Sequence, residues 1–228
     1  MKEALLVEPK TNKRGTGFMF PPFGLMRISS MLKGRGYAVK FVKGNVLLGE
    51  QFNPDKIFIT SLFTWEGLSV LEAIKFYRTV YPDAEVIVGG VFASLNPDKC
   101  YKSGASKVIK GIYSEAENYP LDYSFVNTAY SYILTQRGCT RNCPYCVVSE
   151  VEGNKIFNVK KSILDQVVPN KSYFMLIDNN FLLNPYHMDI MDEFIELDKP
   201  VDFRNGLDVM LLTKEFMKKI SQLKVKDF

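Results

Sequence analysis

The sequence predicts an α/β protein made of two successive series of strands and helices. Short apolar runs ending at Gly, Pro, Asn or Asp alternate with stretches of helical periodicity up to about Ile109. A second alternation of the same kind starts at Ser131. Between them, from about Gly111 to Tyr130, periodicity lapses and Pro120 interrupts the chain, which reads as a linker.

The elements follow in order. Ala4-Leu5-Leu6-Val7 is an apolar run ended by Glu8-Pro9, a strand followed by a loop. Pro21-Pro22 introduces a helix over about Phe23 to Lys33, with Leu25, Ile28 and Leu32 on one face and Gly34 and Gly36 as its stop. Tyr37 to Val42 and Lys56 to Thr60 are the second and third strands. Val70, Ala73, Ile74 and Tyr77 lie at i, i+3, i+4 and i+7 of the next helix. Glu85 to Val88 is a strand running into Gly89-Gly90, followed by a short helix near Asp98 and a small strand at Lys107 to Ile109. In the second series, Ser131 to Thr135, Tyr173 to Ile177 and Val201 to Phe203 read as strands. A helix after the second of these places Met188, Met191 and Ile195 on one face, and Thr213 caps a last helix over Lys214 to Leu223.

Such alternation implies parallel sheets covered by helices on both faces. Ligands bind in the loops beyond the carboxyl ends of the strands. In the first half those loops are Glu8-Pro9, Ser61 to Trp65, Gly89 to Ser94 and Gly111 to Glu117.

Composition narrows the class. Hydrophobic residues make up 46% of 228, enough for a core throughout, which excludes a disordered chain. The net charge is +4 with Lys and Arg dispersed, and the pairs Lys160-Lys161 and Lys218-Lys219 read as solvated helix faces, so no nucleic-acid partner is indicated. No apolar run approaches the roughly 20 residues that span a bilayer, and MKEALLVEPK lacks the apolar centre of a signal peptide. The expected location is therefore cytoplasmic, with no membrane partner. In a reducing compartment, clustered cysteines are ligands or catalysts more readily than disulfides.

The informative segment is Arg137-Gly138-Cys139-Thr140-Arg141-Asn142-Cys143-Pro144-Tyr145-Cys146. Three thiolates spaced by three and then two residues can wrap three corners of an iron–sulfur cubane. The fourth iron then has no protein ligand, and an open position of this kind distinguishes a catalytic metal site from a closed one. Gly138 permits a sharp turn after the strand, and Pro144 stiffens the loop. Two other readings compete. A zinc site would need a second ligand pair, and His187 and Cys100 are all that remains to supply it. A redox pair would have no use for Cys139. His187 itself reads as a surface residue at a helix start, and Cys100 as a small buried apolar residue.

This loop resembles the radical S-adenosylmethionine (SAM) signature Cys-x-x-x-Cys-x-aromatic-Cys, with Tyr145 at the aromatic position. The resemblance implies a [4Fe-4S] cluster on Cys139, Cys143 and Cys146. It implies that SAM chelates the open iron and is cleaved reductively to methionine and a 5′-deoxyadenosyl radical, with a reductant such as flavodoxin or ferredoxin. The family's Gly-Gly-Glu-like stretch, which contacts the SAM amino group, falls at Asp178-Asn179-Asn180 here. Those side chains offer oxygens that could accept from an ammonium. Asn205-Gly206-Leu207-Asp208 resembles the end of the family's third strand, although Met210 stands where an arginine often follows. The resemblance thus assigns Tyr145, Asp178, Asn179, Asn180, Asn205 and Asp208 to SAM.

The first half is similar to the cobalamin-binding domain that precedes the radical SAM domain in one subclass. The likeness lies in Pro21-Pro22-Phe23-Gly24-Leu25, Ser61 to Trp65, and Val88-Gly89-Gly90-Val91-Phe92. It implies a Rossmann-like domain over residues 1–112 with Ser61, Thr64, Gly89 and Gly90 toward cobalamin, then a linker over 113–130 and a radical SAM core over 131–228. The Asp-x-His-x-x-Gly motif of many cobalamin proteins is absent, and this half has no histidine; Trp65 and Phe92 also read as plain core or interface aromatics. A Rossmann-like domain without cobalamin is the competing reading.

The family's partial barrel has six βα units, which take on the order of 180 residues. About 100 residues run from Ser131 to Phe228, with three readable strands. The expectation is a truncated (β/α) partial barrel holding the first three βα units, with no neighbour following Val201 to Phe203. Two function classes stand. One is a radical SAM enzyme, with cobalamin-dependent methyl transfer as one possible reaction, acting on a small-molecule or peptide substrate that the sequence does not identify. The other is a non-catalytic iron–sulfur, cofactor-binding or assembly protein.

Overall fold

A computed structural model describes residues 2–10, 20–49 and 51–227. The chain divides into two compact units, Met1–Val126 and Asn127–Phe228.

The first unit runs β1 (Lys2–Glu8), α1 (Phe23–Gly34), β2 (Tyr37–Lys43), β3 (Lys56–Ser61), α2 (Gly67–Val80), β4 (Glu85–Gly90), α3 (Val91–Leu95), α4 (Pro97–Lys102), β5 (Lys107–Ile109) and α5 (Ser114–Glu117). Its five strands form one sheet in the order β2-β1-β3-β4-β5. Every pairing is parallel. Alternate residues of the central strands face opposite ways. Leu5, Val7, Ile57, Ile59, Val86 and Val88 pack with Val70, Ala73, Ile74 and Tyr77 of α2. Ala4, Leu6, Phe58 and Ile87 pack with Leu25, Ile28 and Leu32 of α1. Helices therefore cover both faces, as in a Rossmann-like sheet, and the helical faces expected from the sequence are the buried ones. Gly36 follows α1 at a φ of +81°, the left-handed conformation that ends a helix.

The stretch expected as a linker, 113–130, is a correction: up to Val126 it belongs to the first unit. Ala116 is buried, and Tyr113, Tyr119 and Phe125 pack against the α1 side of the sheet. Asp122 accepts from Ser29 and from Lys33, both at 2.6 Å. Glu117 pairs with the buried Arg27 at 2.8 Å. These contacts to α1 come from isolated side chains, so no periodicity announced them.

The second unit runs β6 (Tyr130–Ile133), α6 (Val148–Val151), β7 (Tyr173–Leu176), α7 (His187–Leu197), β8 (Val201–Phe203), α8 (Lys214–Ile220) and β9 (Val225–Asp227). The four strands form a parallel sheet in sequence order. One face is covered by α7 and α8: Ile133, Phe174, Leu176, Val201 and Phe203 share a core with Phe194, Phe216 and Ile220. Thr213 caps α8, accepting from Phe216 N–H at 3.1 Å.

Three expectations for this unit are corrected. The count of three strands is one short, because β8 has β9 as a parallel neighbour. β9 is three residues long and two of them are charged, so only pairing makes it a strand. Lys226 on β9 lies over the rings of Tyr173 at 3.9 Å and Tyr130 at 4.5 Å, which helps hold it. The buried stripe of α7 is Ile190, Met191 and Phe194, rotated from the expected Met188, Met191 and Ile195. Lys160 and Lys161 lie outside any helix; Lys160 pairs with Asp165, and Lys161 sits 5.0 Å over the Tyr186 ring.

Candidate functional site

In the first unit the chain leaves β1 for β2 on one side and continues from β3 to β5 on the other. Such a reversal opens a crevice beyond the carboxyl ends of the two central strands, here β1 and β3. The β3 end carries Phe63 and Trp65, stacked at 4.3 Å with their planes 10° apart. Trp65 is 59% exposed and Leu68 is 78% exposed, leaving apolar surface at the crevice.

The four residues assigned there to cobalamin separate by role. Ser61 is fully buried; its hydroxyl donates to Gly89 O at 2.8 Å and accepts from Ala93 N–H at 3.0 Å, stitching β3 to β4 and α3. Gly90 has a φ of +106°, and a Cβ there would lie 2.6 Å from Ser61 O, so its missing side chain serves the approach of two strands. Gly89 borders Ile109, while Thr64 is exposed and starts the turn containing Trp65. Phe92 is core, filling the space above Gly67, where a Cβ would meet its ring at 2.4 Å.

In the second unit the cysteine loop begins four residues beyond β6, at the carboxyl end of the sheet. The turn into it is forced. Gly138 has a φ of +77°, and a Cβ would stand 2.0 Å from Lys155 O. Glu152 fixes that entry by accepting from Gly138 N–H at 2.8 Å and from Arg137 at 3.1 Å. The same carboxylate accepts from Asn179 Nδ2 at 2.8 Å, joining the loop to the end of β7. Glu152 was missed in the sequence, where one glutamate in a loop carries no signal.

Cys139 is buried, while Cys143 and Cys146 are partly exposed. Arg141 N–H points at Cys139 Sγ from 3.4 Å, and Asn180 Nδ2 lies 3.9 Å from the same sulfur. Cys146 N–H donates to Cys143 O at 3.0 Å, closing a tight turn over Pro144. Tyr145 is 87% exposed, and the Cys143 sulfur beside it raises its phenol above the ordinary value. Soft thiolates with N–H donors aimed at sulfur are the donor chemistry of an iron–sulfur cluster. The three sulfurs themselves are not gathered: among the described residues, no group of three or more His, Cys, Asp or Glu side chains is placed to hold a metal ion.

The other residues assigned to SAM lie at the carboxyl ends of β7 and β8, around this loop. Asp208 accepts from Arg141 Nε at 2.7 Å and Nη2 at 3.2 Å, and from Asn180 Nδ2 at 3.0 Å. Arg141 foremost, with Asn180, holds its carboxyl below the ordinary value. Asn180 is buried, and its Oδ1 has no hydrogen-bond partner. Asn205 is exposed and donates to Ile177 O and Asp178 O, both at 3.0 Å, bracing the end of β7. Asp178 is turned inward: it accepts from the amide and hydroxyl of Thr135, and burial pushes it up to about 7. It serves the fold beneath the site. His187 heads α7 with Nδ1 2.7 Å from Asn184 O. Cys100 lies in the core of the first unit, where burial pushes its thiol up to about 11. Among the described residues, no helix is long and apolar enough to cross a membrane.

Residues 11–118 match the family model of the B12 binding domain. The first unit is thus similar to B12 binding domains in sequence, and its doubly wound parallel sheet agrees with that likeness. Among solved structures, a response regulator from Thermotoga maritima aligns with a TM-score of 0.34 and 21% identity, over 54% of this chain and 91% of its own. A cobalamin-binding protein from Desulfitobacterium hafniense DCB-2 aligns with a TM-score of 0.36 and 17% identity, over 47% of this chain and 52% of its own. No curated protein matches the chain.

Proposed function

We propose that the chain is a cofactor-dependent radical SAM enzyme, or a portion of one, with a corrinoid-binding first unit and a cluster-binding second unit. The observation that carries the second half is the setting of Cys139. Its loop leaves the first strand of a parallel sheet, and Asn180, at the end of the next strand, extends an N–H toward its sulfur. Cys139, Cys143 and Cys146 would hold the [4Fe-4S] cluster. Asn180 Oδ1, buried and without a partner, is the acceptor best suited to a SAM ammonium, while Asp178 is committed to Thr135. For the first half, the B12 binding domain match supports cobalamin at the crevice beyond β1 and β3. When bound, the cluster supplies an electron for reductive cleavage of SAM and the corrinoid supplies a methyl carrier, so methyl transfer is the reaction class we infer. The protein's own residues hold the cysteine loop, exclude water from Cys139 and present the acceptor.

Anaerobic reconstitution with iron and sulfide tests this reading. About four irons per chain are expected, with a reduced-cluster EPR signal that SAM perturbs and that Cys143→Ala abolishes. Stoichiometric zinc with no iron uptake overturns the cluster. Corrinoid uptake without iron would favour the non-catalytic cofactor-binding reading.

A further inference from the structure

The loops after β6, β7 and β8 converge on one carboxylate. Asp208 is preset by its own loop, since its Oδ1 accepts from Met210 N–H at 3.1 Å and caps the turn Val209–Leu211. Arg141, midway between Cys139 and Cys143, closes on both oxygens of Asp208. Asn180 donates to that carboxylate and lies against Cys139 Sγ. A bidentate guanidinium–carboxylate pair fixes direction as well as distance. We propose that Asp208 and Arg141 are positioning residues: together they form a clasp that fastens the cysteine loop across the sheet end and keeps Cys139 buried on Asn180. This assigns Asp208 to the loop rather than to SAM. The inference deepens the cluster reading, and it also describes the chain before any cluster is present.

The clasp predicts a specific behaviour of the Cys139 thiol. Arg141 is 41% exposed and Asp208 15% as side chains. A partly exposed pair of this kind holds its loop by a factor on the order of fivefold. The experiment is alkylation of the metal-free protein by iodoacetamide, followed cysteine by cysteine by peptide mass spectrometry. Arg141→Gln is the deciding variant. Alkylation requires the reagent to reach the sulfur, and Cys139 is only 8% exposed while the clasp is closed. Release of the clasp exposes Cys139 and accelerates alkylation. The expected result is faster labelling of Cys139 by roughly fivefold in Arg141→Gln and in Asp208→Asn. Arg141→Lys, which keeps one charged donor, should stay nearer the wild type. Cys100, in the other unit, should label at an unchanged rate, and circular dichroism should be unchanged. An unchanged or slower Cys139 in Arg141→Gln overturns the clasp, even if Asp208→Asn fails to fold. Reconstitution separates the two ideas: a wild type that takes up no iron defeats the cluster reading, while the alkylation rates still decide the clasp.

Discussion

Asp178 accepts the amide of Thr135 at 2.6 Å on one oxygen and the Thr135 hydroxyl on the other. Asn184 Nδ2 in turn donates to Thr135 Oγ1 at 2.9 Å. The residues leaving β6 and β7 are therefore locked together beneath the cysteine loop, inside the protein. Asp178→Ala leaves the Thr135 amide without its acceptor in a buried place. It should cost the second unit roughly 2–4 kcal/mol, read as a lowered denaturation midpoint. A variant as stable as the wild type would show that the lock is dispensable.

The same carboxyl should give stability a pH slope. Burial, opposed by the hydrogen bonds from Thr135 and Gln136, pushes it up to about 7 from an ordinary 3.8. Between those values the folded chain holds a proton that the unfolded chain has released. The contribution is full below about pH 4 and is lost as pH rises through about 7. Asp178→Asn cannot titrate, so the wild type should lose stability relative to it as pH rises from about 4 to about 7. Melting curves of both proteins across that range check the sign; a relative gain by the wild type refutes it.

The distribution of legible and illegible features follows from where each signal resides. The first sheet was readable because its central strands are continuous apolar runs, and its two main helices carry single unambiguous stripes. In α7 two stripes overlap at Met191, and the one containing Phe194 is buried because that ring packs on Phe174 at 5.3 Å. β9 exists by pairing to β8, a nonlocal cause. At the site, the three cysteines were legible from spacing. Glu152 and the Arg141–Asp208 pair were not, since partners 14 to 67 residues apart leave no local pattern. Asp178 was legible as a polar strand end but not in its direction, which Thr135 decides.

Two glycines should be irreplaceable for steric reasons, and a third should not. Gly138→Ala and Gly90→Ala each combine a positive φ with a backbone oxygen, at 2.0 Å and 2.6 Å from the new Cβ. Each should cost more than about 2 kcal/mol. Gly153, at a φ of +88°, has nothing within 4 Å of a Cβ. Gly153→Ala should cost only the conformational strain, about 1 kcal/mol. Denaturant titrations of the three variants give the ranking directly. Equal losses would mean that the carbonyl contacts at Gly138 and Gly90 yield without cost.

Trp65 offers a direct test of the first unit. It is the sole tryptophan of the chain, and it stacks on Phe63 just beyond the carboxyl end of β3. That is one wall of the crevice where the doubly wound topology places a ligand. With 59% of its surface exposed, its ring has room to be covered by a large planar cofactor. Titration with cobalamin should therefore quench the tryptophan emission to a plateau at one corrinoid per chain. With binding followed by equilibrium dialysis, Trp65→Ala should weaken it by roughly fivefold, since a stacked aromatic contributes about 1 kcal/mol. Trp65→Phe should weaken it less, because the stack on Phe63 survives. Thr64→Ala, which changes a neighbouring exposed hydroxyl and no ring, separates a polar contact from a stacked one. Saturating corrinoid that leaves the emission unaltered would place the cofactor away from the β3 end and would remove Thr64 and the Phe63–Trp65 stack from its site together.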